Sequence, residues 1–473
     1  MQRREFIKLS GATALFLAFG AGTSLHAATS IGARTVVNIM LDGGPDFKHL
    51  IVPPFSSDAN SYGAAYWRAR ASIFRTTAGD SVKLRQAYRD NYDEVTFDGV
   101  RFGILKSCAW LKNEIRKGNV AVVSNVVAST NRDHYHSKLI LESGSLRTGP
   151  NTTEVSGWGG RSVGELDANA VAVTRGVRLV CNGEDLSGRK GYDNTRVISN
   201  FDSRDMGLYN YDTQADLDSG SRSYKWSVQA LMSRSLKSYY QAKANEIPEQ
   251  SPYRKFIKHE QKLRQFGDRV SARLKARPVP SAITALYQGS NTLKSTYFGQ
   301  QIRNLYDSFV TQDILAMRFA SMEYTGWDSH RDQHRKIEPM FSDIFGTSKG
   351  LHTLVSHLDA YNKAITNNTV FVISGEFGRQ LKSNGDHGTD HGRGNSVLVI
   401  GKSVNGGFYG DPFPSDETAR LEIKNEDIRG KTSMFQVYAR VLNWQQGGLG
   451  SKVFDLNNQP IEAGANLSAL LKA

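Results

Sequence analysis

Thr369 to Ser374 reads Thr-Val-Phe-Val-Ile-Ser, an unbroken run of mostly β-branched residues that stops abruptly at Gly375-Glu376-Phe377-Gly378-Arg379. A strand apolar on both sides must be covered on both faces, as in the interior of a parallel sheet. Glu376 then sits just past the carboxyl end of a buried strand, where open α/β sheets place their ligand sites.

The same design recurs. Ala33 to Leu41 rises into Asp42-Gly43-Gly44-Pro45-Asp46, and Asn119 to Val127 ends in Ala128-Ser129-Thr130-Asn131-Arg132-Asp133-His134-Tyr135-His136, with a helical stretch from Ser137 to Leu141. Leu105 to Lys117 has helical spacing, and Ser396 to Ile400 reads as a further strand. Strand, polar turn and helix in alternation predict an α/β fold with a mostly parallel central sheet. Asn182 to Asp218 is rich in Gly, Ser, Asp, Asn and Tyr and reads as an irregular cap. Ser223 to Ala244, Pro252 to Arg277 and Ile283 to Ala320 read as helices, as do His334 to Asn367 and Lys431 to Leu442. The expected organisation is one domain over residues 29–473 with an insertion at about 182–283.

Residues 1–28 carry Arg3-Arg4, a modest apolar stretch from Leu9 to Gly22, and Leu25-His26-Ala27-Ala28 as a cleavage-like end. This is the pattern of a twin-arginine export signal, which predicts engagement with the twin-arginine translocase and a periplasmic or exported location. No later stretch approaches the roughly 20 apolar residues of a membrane span. Loss of the signal lowers the formal charge from +13 to about +11 and leaves about 445 residues, ample for a core. The excess charge favours anionic partners without singling out nucleic acid. Much of it lies in Arg254 to Arg277, interleaved at helical spacing with Phe256, Ile257, Leu263, Phe266, Val270 and Leu274, as on a solvated helix face or an anion-binding patch. Cys108 and Cys181, the only cysteines, are compatible with one disulfide or two buried thiols.

Metal-type ligands crowd the strand-end turns. Asp42 follows the first strand, Asp328 and His330 lie in Trp327-Asp328-Ser329-His330, and Glu376 follows the third. Asp390 and His391 lie in Asp386-His387-Gly388-Thr389-Asp390-His391-Gly392, where Asp386 and His387 read as bystanders. Carboxylates with imidazoles suit zinc, manganese, magnesium or calcium in different proportions, so one or two divalent ions are expected. His334, four residues past His330, reads as an outer or surface residue. Arg379 could orient Glu376 or grip a tetrahedral oxyanion. A Walker-type loop and His-Glu-x-x-His are missing.

The export signal, Leu41-Asp42-Gly43-Gly44-Pro45-Asp46, Arg132 with His134, Gly326 to His330, Glu376 to Arg379, Asp390 to Gly392 and Gly406-Gly407-Phe408-Tyr409-Gly410 together resemble the exported bacterial proteins grouped as DUF1501. Those proteins look like distant members of the alkaline phosphatase and sulfatase superfamily. The resemblance implies a three-layer sandwich, with one or two metals held by Asp42, Asp328, His330, Glu376 and Asp390 or His391. It also implies hydrolysis of an anionic phosphate or sulfate ester, of a small molecule or a polysaccharide. A non-catalytic envelope or assembly protein that keeps the metal site is the alternative. The superfamily carries a covalent nucleophile on a turn before a helix, and this chain has Asp133 there. Thr130 or Ser129 could take over as nucleophile, Asp133 and His134 could act as ligands or as an acid and base pair, or water could attack directly.

Overall fold

The computed structural model describes residues 29–149, 155–184, 192–193, 196–200, 235, 238–239, 242–243, 246–248, 250–289, 292–461 and 464–472. The expected signal segment, most of the expected cap and most of the expected helix from Ser223 to Ala244 lie outside these residues. Among them, no helix is long and apolar enough to cross a membrane.

The principal sheet takes its strands from the whole described chain: β1 (Thr35–Asp42), β2 (Val120–Val127), β3 (Asn169–Ala172), β4 (Val197–Ser199), β5 (Met317–Thr325), β6 (Thr369–Ser374), β7 (Asn395–Ile400), β8 (Gly407–Tyr409) and β9 (Thr432–Ser433). Their spatial order is β8-β2-β7-β6-β1-β5-β3-β4, with β9 beside β2. β1 lies between β5 and β6, parallel to both, and Val37 faces Ala320 on one side and Phe371 on the other. β7 alone runs antiparallel to its two neighbours, β6 and β2. The fold is therefore mixed α/β with a mostly parallel sheet, as the strand-turn-helix alternation predicts.

Alternation along β1 supplies both faces. Val37, Ile39 and Leu41 join one apolar cluster, and Val36 and Met40 join the other. The first cluster is completed by α1 (Ala109–Arg116), α4 (Leu293–Val310), α5 (Gln333–Phe345) and α6 (Gly350–Tyr361), the second by α2 (His134–Ser143), α3 (Trp158–Glu165) and α7 (Met434–Gln445). Val36, Val37, Ile39 and Leu41 are fully buried, and each such side chain contributes about 1.5–3 kcal/mol. Helices thus cover the sheet on both sides, which explains why its central strands are apolar throughout.

Several expectations change. The helix expected over Ile283 to Ala320 is really a helix from Ser281 to Gln288 and α4, followed after a short turn by β5. Ala316 takes a left-handed conformation (φ 48°) that ends the helical run. Met317, Phe319, Ala320, Met322 and Tyr324 are then buried between β1 and β3, so sheet burial overrides their helical propensity. The insertion is not wholly apart from the sheet, because β4 extends it at the edge. A small antiparallel sheet of Ile51–Val52, Val100–Leu105 and Tyr92–Phe97 has no counterpart among the expected elements. The helix Pro252–Lys275 is present, and Phe266, Val270 and Leu274 are its buried face.

Cys108 and Cys181 are free and buried, in the two different apolar clusters, so the bridge reading is set aside. Burial holds both thiols protonated, with that of Cys181 pushed up to about 12. The folded protein is expected to react with no equivalent of an aromatic disulfide reagent and the denatured protein with two; thiol release before unfolding would contradict this placement.

Candidate metal centre

Strand direction decides which turns meet. β1, β2, β5 and β6 end at the same edge of the sheet, and reversed β7 begins there. The turns after Asp42, Val127, Thr325 and Ser374 therefore meet the segment before Asn395. This explains how residues 333 positions apart come together, with Gly43 N–H donating to Glu376 Oε1 at 3.0 Å. Gly43 and Gly44 have φ of 123° and 69°, values that suit glycine. A Cβ on Gly43 would lie 2.4 Å from the Asp328 backbone nitrogen, and one on Gly44 2.4 Å from the Phe377 ring. The space these glycines leave is taken up by the protein's own neighbouring loops.

Three imidazoles surround one carboxylate. His330 Nε2 and His391 Nε2 lie 3.0 and 3.1 Å from Asp328 Oδ1 and 2.9 Å from each other. His134 Nε2 is 3.7 Å from Asp328 Oδ2, and its ring stands 4.5 Å from that of His391. One ligand atom each from His134, Asp328 and His391 lie within 4.8 Å of one another.

The opposite ring nitrogens are all engaged. His134 Nδ1 lies 2.7 Å from Glu376 Oε1, His330 Nδ1 2.9 Å from Asp390 Oδ1, and His391 Nδ1 3.0 Å from the Arg132 carbonyl. Ionised carboxylates and carbonyls only accept, so each Nδ1 carries a proton, and a ring in its neutral form turns the Nε2 lone pair inward. Lone pairs crowding a carboxylate repel unless a cation or a proton lies among them. Partners that fix the tautomer in this way are the usual support of metal-binding histidines.

The electrostatics agree. Burial pushes the Asp328 carboxyl up, but the Arg379 guanidinium and the imidazoles outweigh it and bring it down to about 2. The hydrogen bond to Glu376 raises His134, whereas burial and Arg379 lower His391 and favour its neutral, ligand form. Burial raises and His330 with Asn384 lowers the Asp390 carboxyl, which ends below its ordinary value.

The expected residues are redistributed. Asp328, His330 and His391 come together, and His134, read as a ligand or as half of an acid and base pair, joins them. Glu376 and Asp390 stand one layer out, as partners of His134 and His330. Asp42 is paired with Lys138 Nζ at 3.1 Å, an interaction the sequence reading missed. Asp133 is an exposed helix N-cap whose carboxylate accepts from the His136 backbone N–H at 2.8 Å. Among the described residues neither Asp133 nor exposed Thr130 hydrogen-bonds to the histidines. The turn between them is satisfied locally, with Asp133 N–H donating to Asn131 Oδ1 and Asn131 N–H to Ser129 Oγ. Arg379 is fully buried and spends its donors on the carbonyls of Gly43, Gly44, Trp327 and Thr389 and on Asp328, which makes it a strut and not an oxyanion grip. His334 turns away into a second group with His49 and Glu338.

The chain is thus a mixed α/β protein whose candidate site, at the carboxyl edge of the sheet, is a cluster of histidines around a carboxylate that could hold a metal ion. A family model described as "Protein of unknown function (DUF1501)" matches residues 107–426, and the chain belongs to that family. The match includes His134, Asp328, His330, Glu376, Arg379 and His391. No curated protein matches the chain.

Proposed function

We propose that this protein is a divalent-metal-dependent hydrolase of phosphate or sulfate esters, exported by the twin-arginine route, with the alkaline-phosphatase-like form of the three-layer fold. The observation that carries the reading is the set of three inward Nε2 atoms around Asp328, each imidazole fixed from behind. Three imidazoles and one carboxylate suit zinc best and manganese next, and disfavour magnesium and calcium, which prefer all-oxygen sites. When bound, such an ion supplies a Lewis acid that polarises a phosphoryl or sulfuryl oxygen and acidifies water.

The chain's own groups supply recognition. Beside the centre lies a groove of about 890 Å³ lined in part by Thr130, Asn131, Arg132, His136 and Arg393. Arg132 and Arg393 share one counter-ion, Asp427, so the pair keeps a positive charge for an anionic ester. With Asp133 committed to a cap and Thr130 away from the histidines, water is the nucleophile in this reading. The same lack of a placed side-chain nucleophile favours the second reading, a metal-binding envelope protein without turnover.

Zinc- and manganese-loaded full-length protein is expected to hydrolyse at least one of p-nitrophenyl phosphate, bis(p-nitrophenyl) phosphate and p-nitrophenyl sulfate. Glu376→Gln, which loosens His134, is expected to weaken metal affinity about 10–100-fold. Stoichiometric metal without hydrolysis of any ester would leave the binding reading, and absence of metal would sink both.

A further inference from the structure

We infer that His49, His334 and Glu338 form a second zinc site, separate from the centre around Asp328 and independent of any ester hydrolysis there. One ligand atom from each of these residues lies within 4.8 Å of the others. His334 and Glu338 are four residues apart on α5, so they share a helix face. His49 comes from the short helical turn Phe47–Leu50 that follows β1. Two imidazoles and a glutamate form a familiar zinc donor set, and three protein donors leave coordination open.

The hydrogen bonding is incomplete in the way a missing cation would leave it. His49 is fully buried, its Nε2 lies 3.1 Å from Glu338 Oε1, and its Nδ1 has no hydrogen-bond partner among the described residues. His334 Nδ1 lies 2.8 Å from the same Glu338 oxygen, yet it is buried without a partner in hydrogen-bonding geometry. Two nitrogens thus crowd one carboxylate oxygen, and only one of them is in position to hydrogen-bond. A buried atom such as His334 Nδ1 calls for an explanation, and a cation shared with His49 Nε2 and Glu338 supplies one, leaving His49 Nδ1, which faces the other way, outside the site.

The surroundings hold the donors in place. The His49 ring stacks on Phe74 at 5.7 Å, and the Tyr92 hydroxyl donates to the His49 carbonyl at 3.0 Å. A cavity of about 330 Å³ lined by Phe74, Asp90, Asp332 and His334 gives an approach from solvent. A zinc ion here would fasten α5 to the turn after β1.

The test is zinc stoichiometry by equilibrium dialysis and elemental analysis on the full chain, with cobalt absorption as a second readout. Wild type is expected to hold two zinc ions, His330→Ala/His391→Ala one, His334→Ala one, and the triple variant none. His334 is partly exposed, so its replacement should leave the fold intact, as circular dichroism will check; Glu338→Gln serves as the second variant. If only the Asp328 centre fails, wild type holds one ion that His334→Ala removes and His330→Ala/His391→Ala leaves in place. Unchanged stoichiometry and cobalt spectrum in both His334→Ala and Glu338→Gln would overturn the second site.

Discussion

Asp46→Ala is expected to destabilise the protein by about 3–5 kcal/mol, because it strands a buried guanidinium. Asp46 and Arg70 are both almost fully buried and form an ion pair. Arg70 also donates to the carbonyls of Leu381 at 2.7 Å and Gln380 at 2.9 Å, so it stays anchored inside when the carboxylate is removed. Asp46 accepts from Gln333 Nε2 at 2.7 Å as well, and Gln333 Oε1 in turn accepts from the Ser329 and Thr389 hydroxyls. The pair therefore supports two of the loops that carry the histidines.

Two controls separate the buried charge from general damage. Asp46→Leu/Arg70→Met removes both charges and should be clearly more stable than Asp46→Ala, since replacing a buried pair by apolar groups is often neutral. The second control is pH. Burial alone would raise the Asp46 carboxyl, but Arg70, helped by His49 and then Gln333, holds it below its ordinary value. A carboxyl depressed in the folded state stabilises above its unfolded pKa, about 3.9, and that contribution fades as pH falls through the folded value. The gap between wild type and Asp46→Ala in urea unfolding should be constant above about pH 5 and shrink only below about pH 4. A gap that closes between pH 8 and 6 would show that a histidine is responsible.

The sequence located the turns better than the roles within them. Buried strands followed by acidic or histidine-bearing turns are local patterns, and sheet direction brings those turns to one edge. Which member of a turn points inward depends on rotamers and on neighbouring strands. Glu376 thus reads as a ligand although it lies behind His134, and Asp390 although it lies behind His330. Asp133 reads as a ligand or as half of an acid and base pair because it stands where the resemblance implies a nucleophile, on a turn before a helix, yet aspartate there is also an ordinary cap. β5 was hidden by Ala, Met, Glu and Arg, which favour helices until a sheet buries them. His49 had no strand-end signal; the His334 to Glu338 spacing of four on a helix was the available clue.

Arg379 is the single residue on which the shape of the centre most depends. Its side chain has no solvent exposure, and it reaches the turn after β1 through Gly43 and Gly44, the turn after β5 through Trp327 and Asp328, and the segment before β7 through Thr389. Arg379→Met keeps much of the volume but leaves these buried carbonyls without a donor and Asp328 without its guanidinium. The expected cost is about 3–5 kcal/mol in urea unfolding, the range for breaking a buried, multiply bonded charge. Arg379→Lys should recover only part of it, because one ammonium with three donors cannot span three loops. Folded Arg379→Met should also bind zinc about 10–100-fold more weakly, by the same reasoning that applies to groups orienting metal ligands. The two readouts divide the explanations: lost stability with full zinc affinity would make Arg379 a strut of the fold alone, whereas lost affinity at unchanged stability would place its effect on Asp328. A stability loss below about 1 kcal/mol, the worth of one ordinary hydrogen bond, would refute its role as the tie between the three loops.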